Sequence, residues 1–309
     1  MNMASVADIA AYLRSEGQCD RLLVSVDREE SAAQSGGGVT EADVAAPIVC
    51  AIEIDGVQVD TRAGPSEMAW SKRAGAAAEF RGGLLLCDPR AAVGAEASSP
   101  RTGQTAARAF IVCSRPRLAM ALAVRRFFAH LLTDRQARFH SAEQRAQAAA
   151  AGAWVMNAAV AAGVTFGPQC SVGCSGMGYE RREDGVLVGF PQLGTVILEE
   201  DVEIAAHATV QRGAIGATRI CRGAKIGPHV NVGHNVEVGP DVLITGHVQI
   251  GGGARIGAGA VLWQSCAIAN GVTIGEGAVI GMGAQVLRDV PAGETWVGNP
   301  ARPLCRAQP

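Results

Sequence analysis

From Ile220 onward the chain repeats every six residues, and that period leaves few folds open. Aligned in sixes, the first positions are Ile220, Ile226, Val232, Val238, Ile244, Ile250, Ile256, Leu262, Ile268, Ile274, Ile280 and Val286, twelve aliphatics in succession. The fifth positions, from Ala224, Val230 and Val236 to Ala284 and Val290, are all small or β-branched, and seven second positions are glycine. Two inward positions in six describe a short strand followed by a bend, with the second-position glycine free to take corner angles. Three such units close a triangular coil. Coils stack as parallel strands about 4.8 Å apart, so residue i lies beneath i+18 and like side chains form ladders through the interior.

The register extends upstream with slips. Leu198, Ile204 and Val210 hold first positions, after which one turn runs ten residues before Ile220; Val160, Phe166 and Val172 form an earlier set. Counting these hexads predicts a mainly β chain, a left-handed parallel β-helix of about six coils over residues 140–295, with a tail at 296–309. Residues 176–194 break the register and read as a loop thrown out from the coil wall. Residues 1–139 lack the period; short β-branched runs and a helical stretch from Arg117 to Leu132 predict a small α/β domain there. Composition agrees with the split, because a prism this narrow has little room for rings. Of 39 glycines, 27 follow residue 160, whereas eight of thirteen aromatics precede it.

A net charge of −2 supplies no global positive field for nucleic acid or anionic membrane. The nine cysteines are scattered without CxxC pairs and read as reduced core residues of a cytoplasmic protein. Residues 1–18 read as an amphipathic helix rather than a signal peptide. The apolar stretch from Leu118 to Leu132 carries Arg125 and Arg126 at its centre, which disfavours membrane insertion.

Four histidines lie in or near the coils. His229 and His247 hold fourth positions one coil apart and should stack on the outer wall, where imidazoles are commonly inert. His234 holds a third position in Val232-Gly233-His234-Asn235, and Gly252 lies one coil above it within Gly251-Gly252-Gly253. An imidazole, with an ordinary pKa near ~6.5, takes up a proton at neutral pH, and a bare glycine N–H can hold an oxyanion. Base and oxyanion donor together suit acyl transfer; a glycine triplet also suits a sharp corner. The sequence contains no phosphate-cradling loop, Ser/His/Asp set or metal-ligand cluster, so no metal is expected.

The hexads, together with Val297-Gly298-Asn299-Pro300-Ala301-Arg302-Pro303, resemble the left-handed β-helix acyltransferases, trimeric enzymes that bind substrates in clefts between adjacent prisms. More narrowly, GMGYE at 176–180, FPQLG at 190–194, DVEI at 201–204, QRGAIGAT at 211–218 and NVGHNVEVG at 231–239 are similar, in order and spacing, to the UDP-3-O-(3-hydroxyacyl)glucosamine N-acyltransferases of lipid A synthesis. The resemblance spans about residues 175–303 and implies that His234 is the catalytic base and Gly252 the oxyanion glycine. The candidate substrate-binding positions are Trp70, Tyr179, Gln192, Asn231, Asn235 and His247. Val59-Asp60-Thr61-Arg62 and Trp70 sit where the family's uridine-binding domain places a nucleotide contact and a base-stacking aromatic. The family's acid before Arg-Gly is Gln211 here, its Asp-Asn pair is Gly227-Pro228, its second histidine aligns near Gly271-Val272, and its carrier-docking helical extension is absent before Pro309.

The resemblance implies a cytoplasmic homotrimer that holds no cofactor, takes an acyl group from a phosphopantetheine thioester on acyl carrier protein or coenzyme A, and delivers it to the amine of a UDP-amino sugar. Two alternatives stay open. One is an acetyl-CoA-dependent sugar N- or O-acetyltransferase outside lipid A synthesis; the other is an inactive paralogue that binds a sugar nucleotide.

Overall fold

Each hexad from Ile220 contributes one short strand, among them Lys225–Ile226, Asn231–Val232 and Glu237–Val238, and successive strands fall on three different walls. The structure is a computed structural model and describes residues 4–19, 21–25, 47–48, 68–71, 84–87 and 108–304. Within it the first wall runs from Thr165–Phe166 to Thr295–Val297, the second from Trp154–Val155 to Gln285–Val286, and the third from Arg138–Phe139 to Thr273–Ile274. Pairing within a wall is parallel and in register, Asn231 on Gln249 and Val232 on Ile250 being typical. The fold is the left-handed β-helix class expected from the period. Seven parallel strands line each wall, one more than the hexads count, because Arg138–Phe139, Trp154–Val155 and Thr295–Val297 lie outside the hexad runs.

Every first- and fifth-position side chain from Ile220 to Val290 is buried in one continuous core. Each fully buried Ile, Val or Leu contributes about 1.5–3 kcal/mol by leaving water, and the ladder gives each the same neighbours above and below. The corner angles follow a different rule from the one expected. The left-handed backbone falls at the fourth position, at His229 (φ 55°), Asn235 (φ 59°), Asp241 (φ 55°) and His247 (φ 60°), not at the second. Second-position glycines serve close approach instead: a Cβ on Gly233 would stand 2.7 Å from the Ile250 carbonyl oxygen, one coil above.

The first coil is covered by the helix Ala142–Ala150, whose N-cap Ser141 accepts a hydrogen bond from the Gln144 N–H. Gln144 donates in turn to the carbonyls of Ala161 (3.0 Å) and Val164 (3.1 Å), satisfying groups that would otherwise face an open edge. At the other end Arg302–Pro303 runs antiparallel on Thr295–Val297 and closes the first wall.

The described residues before Asp134, with Met177–Pro191, form a second compact unit. Its sheet has the strand order Arg21–Ser25, Arg108–Val112, Leu84–Cys87, Met68–Ser71, antiparallel at the first pair and parallel thereafter. Helices Val6–Ser15 and Pro116–Phe127 complete this α/β unit. The register-breaking segment contains an antiparallel hairpin, Tyr179–Arg181 on Leu187–Gly189, tied to the second helix by the Arg117–Glu180 ion pair at 2.6 Å. No described helix is long and apolar enough to cross a membrane.

Candidate active site

The corner between the second and third walls holds His234, at the turn from Asn231–Val232 to Glu237–Val238. Its Nδ1 lies 3.1 Å from Asn235 Oδ1. Which way that amide faces is settled by its other partners: Asn235 Oδ1 accepts from the Ala214 N–H at 2.9 Å, and Nδ2 donates to the Ile215 carbonyl at 2.7 Å. An oxygen therefore faces the ring, and an acceptor there favours the tautomer with hydrogen on Nδ1 and the Nε2 lone pair free. Backbone geometry completes the arrangement, because asparagine tolerates the left-handed conformation that the fourth position demands.

Nε2 is turned toward Gly252. A Cβ built on Gly252 would lie 2.6 Å from His234 Nε2 and 2.7 Å from Cε1, so the imidazole occupies the space a side chain would need. Gly253 N–H donates to the His234 carbonyl at 2.8 Å and locks the two coils together. Among the described residues the Gly252 N–H has no acceptor, which leaves it available to an oxyanion beside the base.

Neutral amides surround this pair. A Cβ on Gly176 would meet Gln192 Oε1 at 3.0 Å, Gln211 Oε1 at 3.1 Å and His234 Cβ at 3.1 Å, so these groups converge on one glycine. Gln211 Nε2 reaches Asn231 Oδ1 at 3.4 Å. The segment before Gly176 is anchored from the coil above by Arg212, whose N–H donates to the Cys174 carbonyl and whose Nη2 lies 3.3 Å from Ser175 Oγ. Burial pushes the Arg212 guanidinium pKa down, partly offset by Asp134 at 3.5 Å.

The structure thus gathers His234, Gly252, Asn235, Gln192 and Asn231 at or beside one corner, with Gln211 added to the set expected. His247 stands elsewhere, on the corner between the first and second walls, where it stacks on His229 at 4.8 Å, itself stacked on His207 at 4.9 Å. Tyr179 is exposed on the hairpin of the other unit, and Trp70 lies in the strand Met68–Ser71 of that unit. Val59-Asp60-Thr61-Arg62 and the Trp70 side chain fall outside the described residues. Thr218, fully buried and accepting at Oγ1 from the Asn235 N–H at 2.8 Å, is a site residue that sequence reasoning missed; its signal was the ten-residue turn that precedes Ile220. Among the described residues, no group of three or more His, Cys, Asp or Glu side chains is placed to hold a metal ion.

No family model matches the chain. A UDP-3-O-acylglucosamine N-acyltransferase of Francisella tularensis subsp. holarctica is 54% identical over 55 residues, 18% of this chain and 16% of that protein. One from Anaeromyxobacter dehalogenans is 44% identical over 68 residues, 20% and 19% respectively. Over these stretches the chain is similar to UDP-3-O-acylglucosamine N-acyltransferases. These matches span less than a fifth of the length of either curated relative. Among solved structures, PerB from Caulobacter crescentus, in complex with CoA and GDP-perosamine, is 18% identical with a TM-score of 0.37, covering 74% of this chain and 88% of that one. In this chain the histidine and glycine of the corner lie on adjacent coils, above the ten-residue turn between Val210 and Ile220.

Proposed function

We propose that the chain is an N-acyltransferase that moves an acyl group from a phosphopantetheine thioester to the amine of a UDP-amino sugar. The observation that carries this reading is His234 Nε2 set against an N–H of Gly252 that has no acceptor among the described residues. The amine nitrogen attacks the thioester carbonyl as Nε2 takes its proton, and the carbonyl oxygen, now anionic, is held by the Gly252 N–H. Collapse of the tetrahedral centre breaks the C–S bond; the imidazolium returns its proton to the departing thiolate, giving amide and free thiol. The surrounding amides of Gln192, Gln211 and Asn231 offer both donors and acceptors, which suits a neutral, hydroxyl-rich sugar.

The active assembly in this reading is a cytoplasmic homotrimer, with acyl carrier protein or coenzyme A as donor. The trimer reading draws on the first wall, where Leu243 and Trp263, each 40% exposed, follow the Glu203–Lys225 ion pair of the lower coils, whereas the third wall carries Arg219, Glu237 and Arg255.

Turnover of His234→Ala tests the base directly. A loss of about 10²–10⁴-fold with unchanged folding is expected; a loss below tenfold rejects the assignment. Hydroxyacyl carrier protein and acetyl-CoA, assayed side by side on UDP-amino sugars, separate the lipid A-type reaction from an acetyltransferase.

A further inference from the structure

The turn between Val210 and Ile220 is longer than the hexads around it by four residues, and removing residues 213–216 on paper leaves Val210-Gln211-Arg212-Ala217-Thr218-Arg219 as an unbroken hexad with a small β-branched residue at the inward fifth position. The extra residues are therefore not needed to keep the coil running. What they touch is Asn235. Ala214 N–H donates to its Oδ1, Ile215 carbonyl accepts from its Nδ2, and Thr218 Oγ1 accepts from its main-chain N–H.

That last contact departs from the rule at the other corners. The fourth-position N–H of His229, Asp241, His247 and Ser265 each donates to a backbone carbonyl of the coil below, on Ala206, Arg222, Pro228 and Gly246. At Asn235 the lengthened turn has taken that carbonyl out of register, and the Thr218 hydroxyl replaces it.

We propose that residues 213–216 and Thr218 form a positioning device for the base: they hold Asn235 so that its Oδ1 keeps the His234 ring in the Nδ1–H tautomer, with the Nε2 lone pair turned to Gly252. Free imidazole side chains favour the other tautomer, and a buried hydrogen bond to the second ring nitrogen is what reverses that preference. Because the acceptor is a neutral amide rather than a carboxylate, it orients the ring without holding the imidazolium form, so the ring returns its proton readily to the leaving thiolate. Asn235 and Thr218 are thus positioning residues. The inference rests on His234 being the base, but its physical content is a tautomer and can be read without turnover.

The experiment is 15N NMR of the full chain labelled at histidine, with the His234 signals assigned by loss in His234→Gln. The native protein should show His234 protonated at Nδ1. Asn235→Ala, Thr218→Val and deletion of residues 213–216 should each move it toward the Nε2–H form, and kcat should fall at least about tenfold with KM nearly constant. Asn235→Asp keeps an oxygen acceptor and should keep the tautomer, while moving the acidic limb of the kcat/KM profile to higher pH by the added charge. Thr218→Val is close in shape and guards against misfolding of the deletion. An Nε2–H ring in the native protein, or one unmoved by Asn235→Ala, overturns the proposal. If no acyl transfer is found with any donor, the tautomer readout still decides the device and the failure belongs to the functional reading alone.

Discussion

At Gly252 and Gly233 the same substitution should have opposite kinds of consequence. A methyl on Gly252 meets the rim of the His234 ring at 2.6 Å, a side chain that can swing aside. A methyl on Gly233 meets the Ile250 carbonyl oxygen at 2.7 Å and the Gly252 nitrogen at 2.8 Å, both fixed by the ladder. Gly252→Ala should therefore fold normally and lose about 10²–10³-fold in kcat as base and oxyanion donor are pushed apart. Gly233→Ala should lower stability by about 1–3 kcal/mol, read as a shift in denaturant midpoint. The sequence alone pointed to His234 and Gly252 because stacking by eighteen residues is arithmetic. It assigned Asn235 a substrate-facing role, whereas the structure engages both ends of its amide within the protein; hydrogen-bond direction is invisible to a period.

Elements repeat the lesson with different physics. Strands built on the hexad were legible down to the residue, since the aliphatic and the small position must both face the core. Arg138–Phe139 and Trp154–Val155 were not, because a strand outside the hexad runs leaves no periodic trace, and the 179–189 hairpin lies in a polar segment that breaks the register. The end helix has a local signature that does carry a prediction. Ser141→Ala removes the acceptor for the Gln144 N–H and should cost about 1 kcal/mol, measurable by thermal or denaturant unfolding. Inside the coils, burial pushes the Cys170 thiol up to about 11 and Cys266 to about 12. A raised thiol pKa keeps the unreactive protonated form at neutral pH, so both should resist a thiol reagent at pH 8 until the protein is unfolded. Rapid labelling of Cys266 in the native protein would show that the coil opens locally.

For the molecule as a whole, the three walls share one interior and differ outside. The first wall carries the Glu203–Lys225 pair low down and Leu243 and Trp263 above it, the second the amides Asn231 and Gln249, and the third the charges Arg219, Glu237 and Arg255. If three copies meet through the first wall, Leu243→Glu with Trp263→Glu should reduce the mass measured by light scattering from three chains toward one. Persistence of the full assembly would place the interface on another face. The α/β unit was legible as a class from its lack of period, but its strand order was not, since nothing local in Leu84–Cys87 says that it pairs with Arg108–Val112 on one side and Met68–Ser71 on the other.

The unequal turn before Ile220 also breaks an equivalence that the rest of the prism obeys. From Ile220 upward each coil repeats the same pattern of aliphatic and small inward side chains, and the level of His234 is set apart by the longer turn beneath it. Coils above Gly252 can therefore be added or removed in lots of eighteen residues, each altering the length of the outer grooves by one strand spacing, about 4.8 Å, without disturbing the chemistry beneath. Reach and reactivity are separate dials in such a molecule, and lineages could tune the first without risking the second.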